Sequence, residues 1–333
     1  MEFGVSYPAS FEAVEQAVLA EELGFDTIGF YDSPALEPDV WITVTQAVQA
    51  TRRIRVGTEV LIPHLRHPMV QAAAIATVER LAPGRLYVGV GTGFTGRMAM
   101  GQRPLAWGYV REFLGQIRGL LAGEAVQIDG RVAQMRHPPG FAPERPIRVP
   151  LIVAANGPKG VEVARDLSDG LIYGGDLSKI PTGFDTLWMP AGAIVLDDGD
   201  SRASFEVQDT ARIMFSLRYH LAYEGFSNPP VLVQQLPYGD DWLASLQAVP
   251  ADLRHLAVHD QHTVGVNDHD REFIDRHPDA LAEFVDQVVI TPKQLGENIE
   301  RLAGLGMTHA NGPALAGRHW EWATRTFAKA CGL

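Results

Sequence analysis

Short apolar runs alternate with amphipathic stretches of helical period through the first half of the chain, the pattern of strand-helix units around a parallel sheet. Phe3 to Ser6 reads as a strand, and Phe11 to Leu23 as a helix whose apolar positions Val14, Ala17, Val18 and Leu23 share one face. Gly24 then terminates it, as glycine does one residue past a helix. The same reading gives strands at Thr27 to Phe30, Ile54 to Leu61 and Leu86 to Val90, and helices at Val40 to Thr51 and Met69 to Leu81. Between Leu121 and Pro150 the rhythm breaks into a Pro- and Gly-rich insertion with a hairpin signal at Asp129-Gly130. It resumes with strands at Leu151 to Ala155 and Leu171 to Tyr173 around a helix from Pro158 to Leu167. Weaker strand signals lie at Ala193 to Leu196 and Thr308 to Ala310, and Arg318 to Ala330 reads as the final helix. A second segment, Phe226 to His277, is rich in Pro, Asp and His and reads as an irregular cap. The pattern is that of an α/β fold in one domain, 1–333, with insertions near 122–149 and 226–277.

At 46% hydrophobic and 20% charged residues the chain can bury a full core. A net charge of -12 excludes a general nucleic-acid binder, which needs a basic face. One cysteine cannot form an internal disulfide, and no Cys/His spacing matches a zinc site, so no metal is expected. No run approaches the roughly 20 apolar residues of a membrane span. Met1 leads straight into a strand without a signal-peptide pattern, so the expected location is the cytoplasm. The expected partners are a small-molecule substrate and, in a homo-oligomer, further copies of the chain.

Several local patterns in order carry a resemblance. They are Ala20-Glu21-Glu22-Leu23-Gly24-Phe25-Asp26, Val56-Gly57-Thr58-Glu59-Val60, Arg66-His67-Pro68, and Arg80-Leu81-Ala82-Pro83-Gly84-Arg85 running into Gly89-Val90-Gly91-Thr92-Gly93. Ala155-Asn156-Gly157-Pro158-Lys159 and Ser168-Asp169-Gly170 complete the set. Together they resemble the luciferase-like superfamily, and within it the branch dependent on coenzyme F420, well from Met1 to about Gly175 and loosely beyond. The resemblance implies a (β/α)8 TIM barrel and hydride transfer between coenzyme F420 and a small organic substrate. An FMN-dependent monooxygenase of the same fold, with FMN as cofactor, is the alternative, and a non-catalytic flavin-binding barrel a second.

In such a barrel the loops after the strands build the active site. Asp32 follows the second strand; it is either a turn former before Pro34 or, as the resemblance implies, a residue near the cofactor ring. Ser33 stands where deazaflavin relatives often carry histidine, and Ser6 where relatives carry glutamate. At Glu59-Val60 the resemblance implies a β-bulge with a non-prolyl cis peptide behind the ring. A carboxylate inside a barrel is costly unless it faces polar ligand atoms or a hidden cation, which sets Glu59 apart from an ordinary strand residue. Gly91-Thr92-Gly93 lacks the third glycine and the acidic residue of a dinucleotide fingerprint, leaving a close backbone approach to a ring or a tight turn. Asn156-Gly157-Pro158-Lys159 combines a glycine turn, a proline at the first helical position and a lysine, which makes either an anion site or a plain helix start. Asp32 and Glu59 are thus the candidate catalytic residues. Ser6, Asp32, Glu59, Val60, Gly91 to Gly93 and Asn156 to Lys159 are the candidate cofactor contacts. His64, Arg66 and Arg97 are the candidate substrate contacts, with simple solvation of the histidines as the competing reading.

Overall fold

In the computed structural model, residues 1–192, 194–225, 229–313 and 317–333 are described, with backbone alone for 229–231. Eight parallel strands close into a barrel: β1 (Glu2–Tyr7), β2 (Thr27–Phe30), β3 (Arg55–Leu61), β4 (Leu86–Val90), β7 (Leu151–Ala154), β8 (Gly170–Ile172), β9 (Leu187–Pro190) and β12 (His309–Asn311). The TIM barrel is therefore the fold. Helices α1 (Ala13–Leu23), α2 (Val40–Ala50), α3 (Pro68–Leu81), α5 (Trp107–Ala122), α6 (Pro158–Leu167), α13 (Pro292–Gly304) and α14 (Trp320–Cys331) accompany the strands. A short α4 (Phe94–Met98) follows β4.

The alternation along each strand explains the layering. Val5, Ile28, Phe30, Val56, Val88, Leu151 and Val153 pack outward with Ala17, Val44, Ala76, Phe113 and Val163 of the helices in the main core. The intervening residues face the barrel interior, and several are polar or aromatic. Tyr87 meets Trp188 at 4.9 Å between ring centroids, and Trp188 stacks on His309 at 4.8 Å. Below them His309 and Arg55 both pair with Glu2 at the amino-terminal end of the strands.

Gly24 ends α1 at φ 95, as its position predicts. The hairpin signal is also met: β5 (Val126–Ile128) and β6 (Arg131–Ala133) are joined by Asp129 at φ 50 and Gly130 at φ 72. Two expectations need correction. The weak strand at Ala193 to Leu196 is not a barrel strand; Ala193 lies outside the described residues, and β10 (Ile194–Val195) pairs with β11 (Val289–Ile290) in a separate sheet. The barrel instead uses Leu187–Pro190, a short run set among Pro181, Gly183, Pro190 and Gly192, whose punctuation reads as loop.

The second insertion is not irregular either, although Phe226 lies outside the described residues. It forms helices α8 (Pro229–Gln234), α9 (Gly239–Gln247), α10 (Arg254–His259) and α11 (Asp268–Arg276), between α7 (Phe205–Tyr223) and α12 (Pro278–Val288). Several of its prolines and aspartates stand at helix starts: Pro229 opens α8, and Asp240, Asp241, Asp268 and Asp270 lie in first turns, while Pro278 just past the segment opens α12. These helices enclose a second core around Phe215, Tyr219, Trp242, Phe273 and Phe284.

Candidate active site

The carboxyl ends of β1 to β4 and β12 bring a compact polar group together. Glu59 reaches inward from β3 toward Gly29 of β2, where an added Cβ would lie 2.6 Å from the glutamate Cγ, so only glycine leaves room for it. The Asn311 side-chain amide donates to both Glu59 carboxylate oxygens, at 3.1 and 3.3 Å. Ser6 also hydrogen-bonds the carboxylate, and the Tyr87 hydroxyl lies beside it. No cation is among these contacts. Burial pushes the Glu59 carboxyl up to about 7, against the neighbouring donors, Asn311 foremost, that favour its ionised form. Glu59 is half-buried, so it can exchange that proton with a group in the mouth.

The β3 register shifts between Thr58 and Leu61, and the Glu59-Val60 bond is cis, as the resemblance implied. Val60 then lies against Gly91, where an added Cβ would come within 2.5 Å of a Val60 methyl. Gly93, in the left-handed region at φ 76, starts α4 beside Ile62, and half-buried Thr92 lies between the two glycines.

Asp32 and Arg66 are neighbours across two loops. The Arg66 guanidinium donates to both Asp32 oxygens at 3.0 and 3.1 Å and to Asp39 at 2.6 Å, while the Ile62 N–H donates to Asp32 at 3.1 Å. Burial raises the Asp32 carboxyl even against Arg66. This carboxylate and this guanidinium thus join the loops after β2 and β3. His64 is depressed by burial and by nearby Arg97, whose Nε donates to the Arg103 carbonyl at 2.6 Å.

A second group lies on the β7 side of the rim. The Asn156 side-chain oxygen accepts from the Gly174 N–H at 2.9 Å, tying the loops after β7 and β8. Gly157, Pro158 and Lys159 are exposed at the start of α6, with no side chain capping its first turn. Pro158 has no N–H and the Gly160 and Val161 N–H groups donate to the Gly157 carbonyl, so the Lys159 N–H and ammonium are what this helix start offers an anion.

Asn311, Tyr87 and Asp39 were missed in the sequence. Asn311 falls one residue past the predicted eighth strand, and its polar side chain at a strand's carboxyl end was the available signal.

The family described as luciferase-like monooxygenase matches residues 2–194. An F420-dependent glucose-6-phosphate dehydrogenase of Beutenbergia cavernae is 38% identical over 177 residues, covering 46% of this chain and 50% of that protein. A 5,10-methylenetetrahydromethanopterin reductase of Methanolobus tindarius is 33% identical over 184 residues, 52% of this chain and 53% of that protein. The chain spans about half the length of these curated relatives. A solved coenzyme F420-dependent tetrahydromethanopterin reductase from Methanopyrus kandleri has the same fold, with a TM-score of 0.63 over 99% of this chain and 97% of that one at 16% identity.

Proposed function

We propose, since this chain belongs to the luciferase-like monooxygenase family, that it is an oxidoreductase moving a hydride between coenzyme F420 and a small organic substrate. One observation carries the reading: a single barrel rim holds both a protonatable carboxyl among neutral donors, Glu59, and an uncapped helix start with a lysine. These residues fit the coenzyme, whose deazaflavin ring is neutral and whose phosphodiester and glutamyl tail are anionic. The orphaned side-chain oxygen of Asn311 is a further acceptor at the same end of the barrel.

Val60, Gly91, Thr92 and Gly93 would hold the ring, while Asn156, Gly157, Pro158 and Lys159 would hold the phosphodiester. When bound, the coenzyme supplies the hydride-accepting or hydride-donating carbon. Glu59 holds or takes the proton that accompanies a change between hydroxyl and carbonyl, since a carboxyl titrating near neutral pH serves either direction. Asn311, Ser6 and Tyr87 orient it. Asp32 acts through Arg66 by fixing the rim, so it is a positioning residue, and His64 and Arg97 border the substrate side.

Titration of the protein with coenzyme F420 and with FMN, followed by fluorescence, should show tighter binding of the deazaflavin. Lys159→Ala should weaken that binding by about 1 to 3 kcal/mol, the scale of a lost charge-assisted hydrogen bond, and leave the melting temperature unchanged. Equal or tighter FMN binding would favour an FMN-dependent monooxygenase, and an unaffected lysine variant would move the anion site elsewhere.

A further inference from the structure

Strands β2, β1 and β12 lie side by side, and their register sets Thr27, Gly4 and Asn311 in one row across them. Their neighbours along the strands, Ile28, Val5 and Ala310, pack outward in the main core, so this row faces the barrel interior. Glycine inside a strand weakens it and commonly marks a close approach of other atoms. Here the close approach is from both sides. A Cβ at Gly4 would fall against Thr27 Oγ1 and would lie 2.6 Å from Asn311 Oδ1, so the two side chains converge over a residue that has none.

One row nearer the mouth, the register places Ser6 beside Gly29, the glycine that makes room for Glu59. The Asn311 amide spans the two rows. Its NH2 donates to both Glu59 oxygens, at 3.1 and 3.3 Å, and its oxygen lies in the slot over Gly4. That oxygen is buried without a hydrogen-bond partner among the described residues, so the slot gives it room and nothing more. An amide has one donating end, and only that end can serve a carboxylate. The two interior glycines thus make one step, Gly29 for the stem of Glu59 and Gly4 for the far end of the amide that serves it.

We propose that Gly4 is a positioning residue for the reaction, its missing side chain being what lets the Asn311 amide sit low enough to present its NH2 to Glu59. The proposal rests on the reading of Glu59 as the group that holds or takes the proton. A side chain at position 4 would push the amide off the carboxylate. Glu59 would keep Ser6 and lose its foremost donor, and its ionised form would be disfavoured further, so the proton would stay on to higher pH. The other titratable groups that face Glu59 among the described residues are the Tyr31 and Tyr87 hydroxyls. Burial pushes both far above neutral pH, so neither changes charge alongside it.

Carbon-13 NMR of the glutamate carboxyls in the coenzyme-free chain, with Glu59 identified by Glu59→Gln, tests this. In the parent the Glu59 signal should titrate near neutral pH, and the Asn311 side-chain NH2 should move with it. Asn311→Ala should raise the midpoint by roughly one to two pH units, the scale of a lost hydrogen bond to a charged group. Gly4→Ala should raise it as far, and Asn311→Ala added to Gly4→Ala should raise it no further. Thr27→Ala in the Gly4→Ala background removes the second clash, so the displacement of Asn311 can be read even where Gly4→Ala alone does not fold. With coenzyme F420, the pH dependence of turnover should move by the same amount in the same direction. A Glu59 midpoint unmoved by Gly4→Ala and by the double variant overturns the proposal whatever their melting temperatures, and so does an Asn311 NH2 that ignores the titration of Glu59 in the parent. Midpoints that shift as expected in a chain that does not turn over coenzyme F420 keep the positioning and overturn the F420 reading.

Discussion

Replacing Glu59 with glutamine separates a carboxyl poised to move protons from one that merely fills space. In the folded chain this group titrates at about 7 against an ordinary 4.5. A raised carboxyl contributes fully below its unfolded value and loses that contribution as pH climbs through the folded one. At about 1.4 kcal/mol per unit the full cost above neutral pH is about 3 kcal/mol. Little of it is felt at pH 5. Because Glu59 is half-buried, solvent screening trims the change between pH 5 and pH 8 to about 2 kcal/mol.

Glutamine keeps the shape, can still accept from Asn311, and does not titrate. Urea unfolding of parent and variant at both pH values should therefore show Glu59→Gln gaining about 2 kcal/mol on the parent as pH rises from 5 to 8. All other titrating groups cancel in the difference. Turnover with coenzyme F420 should meanwhile fall by about 10² to 10⁴, the range for a lost acid or base, with coenzyme affinity little changed. A stability difference that is the same at both pH values would refute the raised carboxyl. A pH-dependent difference with turnover intact would leave the carboxyl raised but remove it from the chemistry.

Arg66→Met should destabilise the fold by about 3 to 5 kcal/mol in urea unfolding, because it strands the buried Asp32 carboxylate; Asp32→Asn in the same background should recover part of that loss, and an Arg66→Met protein as stable as the parent would refute a pairing role. Gly160→Ala places a Cβ 2.3 Å from the Trp107 ring and 2.6 Å from Ala155. It should cost about 1 to 3 kcal/mol through overpacking of α5 against α6, read as a lowered melting temperature, and an unchanged melting point would show that the two helices can part freely.

The barrel was legible where two periodicities met clean punctuation. Thr27–Phe30 and Leu86–Val90 were read to the residue, since each is a short apolar run bounded by Gly, Asp or Pro and followed by a helix of period 3.6. Leu187–Pro190 failed the same test. A parallel barrel strand can be four residues long, and its neighbours in space, His309–Asn311 and Gly170–Ile172, are remote or separated by loop. Pairing therefore stabilises a segment whose own composition reads as turn. The helical layer reads as loop for a related reason: Pro and Asp favour turns, whereas at Pro229 and Asp268 they begin helices whose apolar faces meet only in the assembled layer.

At the site, residue types were legible and partners were not. The costliness of a carboxylate inside a barrel singled out Glu59, and that argument needed only its place in an apolar strand. Whether a cation or neutral donors faced it depended on β12, 252 residues away in the chain, whose Asn311 lies one position beyond the run that alternation could mark. Arg66 is the mirror case. Spacing placed it in a mouth loop with His64 and His67, and a cation there reads as a ligand contact until the second strand's loop is folded against it. Once Asp32 and Asp39 share its guanidinium, the same arginine also binds loop to loop. Local pattern tells which groups must find partners; closure of the barrel decides which partner each one finds, and with it whether a charged residue acts on the substrate or on the frame that holds it.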